Sequence, residues 1–145
     1  MAAADAIYGR LDDAIEISPE TVLETDAVVF ENAGVSRRKA STVQAVADAF
    51  QERAWSQAYF DRMSDKAVIN ELTEVSGVGV WTAKMQLMFS LGRPDVFPVE
   101  DLGIRRAMQT LTTDEITRSS MVDTAERWRP HRSVASLYLW KVSDD

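Results

Sequence analysis

The chain has 145 residues, the length of one domain, and its composition, 46% hydrophobic and 27% charged, supplies a real core. With no cysteine and one histidine, it excludes disulfides, iron–sulfur clusters, thiol nucleophiles and multi-histidine metal sites. Sixteen basic residues face 23 acidic ones, a net charge of −7 that repels nucleic acid and membranes unless positive charge is grouped locally.

The pattern predicts helix throughout, hence an all-α fold in a single domain over 1–145. Ala3, Ile7, Leu11, Ala14 and Ile15 recur near a 3.6-residue period across 2–17. Ser18 before Pro19 and Glu20 reads as an N-cap with proline at the first helical position. Asp26 can cap a helix over 27–32, ended by Gly34. Val28, Val29 and Phe30 are the only run that suggests a strand, and it is too isolated to pair. Ser36 caps a longer helix over 37–53, with Ala40, Val43, Ala47 and Phe50 as its inner stripe. Tyr59 and Phe60 fall in a short helical piece, and Ser64 caps the next helix through Val68, Ile69 and Leu72. A hairpin follows within 72–83, then a helix over 80–90, an irregular stretch over 91–98 and a helix from Asp101. Another helix ends near Trp128, Pro130 restarts the chain, and the last helix runs to about Val142. No apolar run approaches the ~20 residues of a membrane helix. Residues 1–5 lack the basic start of a signal peptide, so a soluble, cytoplasmic protein is expected.

Positive charge is grouped. Arg37, Arg38 and Lys39 form one cluster, Arg105 and Arg106 a second, and Arg127, Arg129 and Arg132 a third around His131. Solvated helix faces would look the same. Only 4 of the basic residues are lysine and 13 of the acids are aspartate, a halophile-like surface suited to a salty cytoplasm.

Two stretches carry chemistry. Gly77 and Gly79 flank Val78 between two amphipathic helices, and glycine permits the positive φ and close backbone approach that a tight hairpin needs. The helix that follows aims its free N–H groups outward, a ready phosphate site; a plain helix–helix turn would use the same glycines. Second, Asp101 stands at the mouth of a helix just after the Pro98 loop, where the helix dipole favours the ionised form. An ordinary N-cap aspartate would look alike.

These two blocks sit 22 residues apart, from Gly79 to Asp101. With them stand the tail from Ala125 through Trp128, Pro130, Arg132, Ser133 and Ala135 to Trp140, and the helix start Gly34, Ser36, Lys39. Together they resemble the helix-hairpin-helix superfamily of base-excision DNA glycosylases, most of all the 3-methyladenine DNA glycosylase II group, over essentially the whole chain.

The resemblance implies a helix-hairpin-helix glycosylase core, and double-stranded DNA with a damaged base as partner. The implied activity is hydrolysis of the N-glycosidic bond of alkylated purines after base flipping. It places Asp101 on the catalytic aspartate, whose charge stabilises the cationic sugar. Glu100 is the rival acid, turned about 100° away by one residue of helix. Trp81 falls where bifunctional relatives carry a Schiff-base lysine, so a monofunctional hydrolase is implied. Lys84 reads as a surface or phosphate lysine. Trp140 and Trp81 would line the base pocket, with Met85 where relatives often place an aromatic wall and His131 where they often place tryptophan. Core packing would equally account for both tryptophans. The phosphate-binding set would be Gly77, Val78, Gly79, Val80, Trp81, Thr82, Lys84 and Arg132. No cofactor is expected beyond a monovalent cation held by hairpin backbone carbonyls. The family's first helices, with a Gln-rich segment that wedges into DNA, precede the point where this sequence begins, so weak activity and self-association through an uncovered apolar face are expected. The alternatives are a non-catalytic DNA-binding remnant and a glycosylase for uracil or an oxidised purine.

Overall fold

Side-chain caps set most helix boundaries in the computed structural model, which describes residues 2–144. After α1 (Ala2–Ala14), Ser18 accepts the Thr21 N–H at 3.2 Å and opens α2 (Pro19–Glu24). Asp26 precedes α3 (Ala27–Ala33) without a side-chain capping bond, and Gly34 ends it in the left-handed region at φ 95°. Ser36 accepts the Lys39 N–H at 3.3 Å and starts α4 (Arg37–Arg53). Ser56 does the same for α5 (Gln57–Asp61) and Ser64 for α6 (Asp65–Thr73). Then come α7 (Val80–Phe89), α8 (Leu102–Thr110), α9 (Arg118–Ala125), a 3₁₀ turn over Glu126–Trp128 and α10 (Arg132–Asp144). No strand occurs among the described residues, so the all-α expectation holds. Val28, Val29 and Phe30 lie on α3, where Phe30 is fully buried. No helix among the described residues is long and apolar enough to cross a membrane.

The chain divides into two compact units. The first runs to Arg62 and includes Thr73–Val78. In it α2 packs on α4 and α1 on α3, around Leu11, Val22, Phe30, Ala33, Ala40 and Ala47. The inner stripe expected for α4 is only half right. Ala40 and Ala47 are buried, but Val43 and Phe50 stay 36% and 40% exposed. These two larger residues, on the edge of the stripe, border a groove of about 360 Å³ with Ile17, Pro19, Val22 and Val46 instead of entering the core.

The second unit comprises Met63–Leu72 and everything from Gly79 onward. Its core is Phe97, Ile104, Ala107, Met108, Met121, Ala125 and Leu139, with α10 packed on α8. The α8 helix buries Ile104, Ala107 and Met108 on one side, which leaves its first turn at the edge of the core.

Candidate active site

Asp101 gathers the second unit's most conspicuous polar cluster. It is the N-cap of α8, and its Oδ1 accepts the Ile104 N–H at 3.0 Å. The same oxygen accepts the indole N–H of Trp140, on α10, at 2.9 Å. Its Oδ2 accepts the indole N–H of Trp81, in the first turn of α7, at 2.8 Å. The cap reading and the functional reading therefore coincide on one side chain. Partial burial pushes the Asp101 carboxyl up. The Ile104 N–H, the two indoles and the Gly103 N–H outweigh it and hold the pKa below the ordinary aspartate value. The result is a carboxylate kept ionised and weakly basic.

The rival acid is spent elsewhere. Glu100 pairs through both carboxylate oxygens with Lys84 Nζ, at 3.0 and 2.9 Å, and Lys84 also donates to the Phe97 carbonyl at 3.0 Å. One clamp settles both residues: it ties down the loop before α8 and turns Glu100 away from Asp101.

The loop over 91–100 is pinned from α10. Buried Ser133 donates to the Arg93 carbonyl at 2.6 Å and accepts the Val96 N–H at 3.0 Å. Ser136, fully buried, donates to the Val96 carbonyl at 3.3 Å. Asp95 takes Arg132 Nε at 2.7 Å and Arg129 Nη1 at 3.0 Å. Hydrogen bonds from Arg132 outweigh burial and hold the Asp95 carboxyl below its ordinary value.

The two hairpin glycines differ in kind. Gly77, in the first unit, has φ 89°, and a Cβ there would strike the side chain of Thr42. Gly79 is the N-cap of α7 in ordinary extended backbone, and a Cβ there would meet nothing within 4 Å. Having no side chain, it leaves the first-turn N–H groups of α7 uncapped. The uncapped start of α7 and the ionised aspartate thus both lie in the second unit, tied through the Trp81 indole, a bond the sequence did not anticipate.

Comparison with known proteins decides the family. The pattern of the HhH-GPD superfamily base excision DNA repair proteins matches residues 1–130. The chain belongs to this superfamily. Over 97% of its length it is 32% identical to DNA-3-methyladenine glycosylase 1 of Schizosaccharomyces pombe, of which it covers 65%. The solved structure of the 3-methyladenine DNA glycosylase of that yeast, in complex with abasic DNA, superposes with a TM-score of 0.89 at 30% identity, over 98% of this chain and 72% of that one. The DNA-3-methyladenine glycosidase of Bacillus halodurans gives a TM-score of 0.84 at 34% identity, over 99% and 68%. The chain spans 44% and 65% of the length of two curated relatives that it matches.

Within this HhH-GPD chain the residues singled out from sequence separate into groups. Asp101, Trp81 and Trp140 come together. Met85 is half-buried on α7, one turn past Trp81 on the same face. Val80 and Trp81 are exposed at the start of that helix, and Thr82 is half-buried. Lys84 and Arg132, expected as phosphate contacts, are both paired within the protein. Lys84 is tied to Glu100, and Arg132, with a 13% exposed side chain, is neutralised by Asp95 and Glu126. Partly buried cations already paired have little charge left for a ligand.

Two residues escaped the sequence reading. Phe89 stacks on Trp140 with ring centroids 5.9 Å apart, although it is 64% exposed. Gly103 lies so close that an added Cβ would stand 3.1 Å from Asp101 Oδ1 and 3.2 Å from Trp140 Cδ1. Its signal was available: glycine in the first turn of a helix costs about 1 kcal/mol against alanine and calls for a packing reason.

Proposed function

We propose that the protein excises alkylated purines of the 3-methyladenine type from double-stranded DNA, with Asp101 as the catalytic residue. The observation that carries this reading is the carboxylate held by two indole N–H groups and a helix N-terminus. Breaking the N-glycosidic bond sends its electron pair to the departing base and leaves positive charge on the sugar. An alkylated purine is already cationic, so it departs neutral without an acid to protonate it. Asp101 stabilises the developing sugar cation and orients the water that adds to it. With its oxygens taken by N–H donors, its contribution is charge more than proton abstraction. Water supplies the hydroxyl, and the products are the free base and an abasic site. The exposed Trp81 ring and the half-buried Trp140 ring, both bound to Asp101, offer π-density to a cationic base.

The uncapped N–H groups from Val80 to Thr82 receive a backbone phosphate, next to the glycine hairpin of Gly77, Val78 and Gly79. A monovalent cation held by hairpin backbone carbonyls belongs to the same reading. The groove lined by Ile17, Val43 and Phe50 is the face through which two copies associate, and the protein works in the cytoplasm alongside DNA.

The test is excision from a methylated duplex, run beside uracil and 8-oxoguanine duplexes. Release of alkylated base alone is expected. Release from the other lesions only, or binding without release, would replace this reading. The product strand is expected intact, since Trp81 has no amine and Lys84 is held by Glu100. Borohydride treatment during turnover should trap no protein–DNA adduct; an adduct would assign a lyase.

A pH profile follows from the low Asp101 pKa. A carboxyl lowered on folding stays ionised as pH falls past the ordinary aspartate range and takes its proton only below it. The acid's contributions to rate and to folding are therefore complete above that range and are lost as pH drops through the lowered value. Excision is expected to hold its plateau down to about pH 5. A Trp81→Phe variant, one N–H poorer, should begin to lose rate at higher pH than the parent.

Self-association is tested by sedimentation of the parent and of Val43→Glu. A concentration-dependent dimer that Val43→Glu dissolves is the expected result; a monomer at all concentrations would remove the groove from the reading.

A further inference from the structure

Five of the twelve arginines are neutralised by carboxylates among the described residues. Arg37 pairs with Glu31, Arg53 with Glu74, Arg93 with Asp65, and Arg129 and Arg132 with Asp95 and Glu126. Among the described residues Arg10, Arg38, Arg62 and Arg127 carry no ion pair either, but they stand apart; three further unpaired arginines share one place. Arg105 and Arg106 on α8 and Arg118 at the start of α9 line one cleft of about 290 Å³, together with Gln109, Leu102 and Ile116. Among the described residues no carboxylate reaches ion-pair distance of any of the three, Asp114 and Glu115 on the neighbouring loop included. The Nε of Arg105 is buried and has no hydrogen-bond partner.

That combination leaves cationic donor capacity that no group among the described residues takes up. A buried N–H left unmade costs the desolvation of the group, and buried polar groups in folded proteins are otherwise almost always satisfied. Here the orphan belongs to a cation, with two more cations beside it, in a chain whose 23 acids outnumber its 16 bases. Pairing them internally would have been easy. The guanidinium fork matches two oxygens of a phosphate, and three forks around one cleft match a phosphate group better than a carboxylate.

We infer that Arg105, Arg106 and Arg118 form a phosphate-binding cleft that takes a backbone phosphodiester of the DNA strand. The choice of DNA rests on the reading of Asp101 as the residue that meets the flipped nucleotide. The α8 helix starts at Asp101, and at 1.5 Å per residue Arg105 stands about 6 Å and Gln109 about 12 Å along its axis. A strand whose sugar sits at Asp101 is therefore within reach of the cleft through a neighbouring phosphate. Sequence grouping found Arg105 and Arg106 as neighbours; folding adds Arg118 and withdraws Arg129 and Arg132 of the cluster around His131 into internal ion pairs.

The experiment compares the parent with the triple variant Arg105→Gln, Arg106→Gln, Arg118→Gln in binding to a duplex with an abasic site, over a range of salt concentrations. Each phosphate contact adds about 0.9 to the slope of log K against log salt, so the slope should become shallower by about 1–2. Affinity near 0.1 M salt should fall by about 10-fold, equally for all sequences. A second arm follows the Arg105 Nε–H resonance of the parent with duplex and with inorganic phosphate. Movement with duplex supports the inference. Movement with inorganic phosphate alone, or with neither, overturns it, as does an unchanged salt slope. If the triple variant does not fold, Arg118→Gln alone, at an exposed position, should flatten the slope by part of one contact, and no change overturns the inference. Failure of the Asp101 reading is recognised separately. In that case the parent releases no alkylated base, yet the arginine variants still flatten the slope. Normal excision with an unchanged slope removes the cleft alone.

Discussion

Asp101→Asn is expected to slow release of an alkylated purine by about 100-fold or more, the scale of losing one electrostatic group at a reacting centre. The fold should change little. Asparagine is as good an N-cap as aspartate, and its oxygen can keep the bonds from Ile104 N–H and the Trp140 indole. Its amide nitrogen would then face the Trp81 indole, donor against donor, where Oδ2 now accepts at 2.8 Å. That one lost bond costs about 1 kcal/mol of stability. Volume, cap and helix are kept and charge is removed, so rate and melting temperature separate cleanly. Equal rates in parent and variant would transfer the chemistry to another group.

The second large effect is predicted for Gly77→Val, and it is an effect on folding. At φ 89° a β-branched residue is strongly disfavoured, and its Cβ would collide with Thr42 on α4. Strain and overpacking together should cost about 3 kcal/mol or more, which for a chain of this size lowers Tm by roughly 10 °C. Thermal denaturation reads this directly. Gly79→Val is the control: with ordinary backbone and open space around it, it should melt like the parent. Its side chain would stand beside the uncapped start of α7 and should weaken DNA binding about 10-fold, alike on all sequences. Unchanged binding in folded Gly79→Val would reduce the hairpin to a turn.

This contrast also marks how far the sequence could be read. Caps and helices were legible because Ser18, Ser36 and Ser64 act locally, on N–H groups three residues away. Asp101 was legible from its loop and its resemblance to a motif. What the sequence hid is non-local. Nothing in the string says that Gly77 lies against Thr42, that Lys84 turns toward Glu100, or that Arg132 is consumed by Asp95. Each of these needs two elements packed at a distance in sequence, and each reassigns a residue whose type alone fitted another task. The α4 stripe failed for the same reason: periodicity gives the direction of Val43 and Phe50 but not whether a neighbour arrives to cover them.

Ser133 and Ser136 fasten the backbone at Val96 to α10 from both its N–H and its C=O. Residues 93–98 form no helix, yet their deuterium uptake should keep time with the C-terminal helix, not with a free loop. Proteolysis or tagging that frays α10 would then detune the segment leading into Asp101 from some 40 residues away, before the rest of the fold gives any sign of damage.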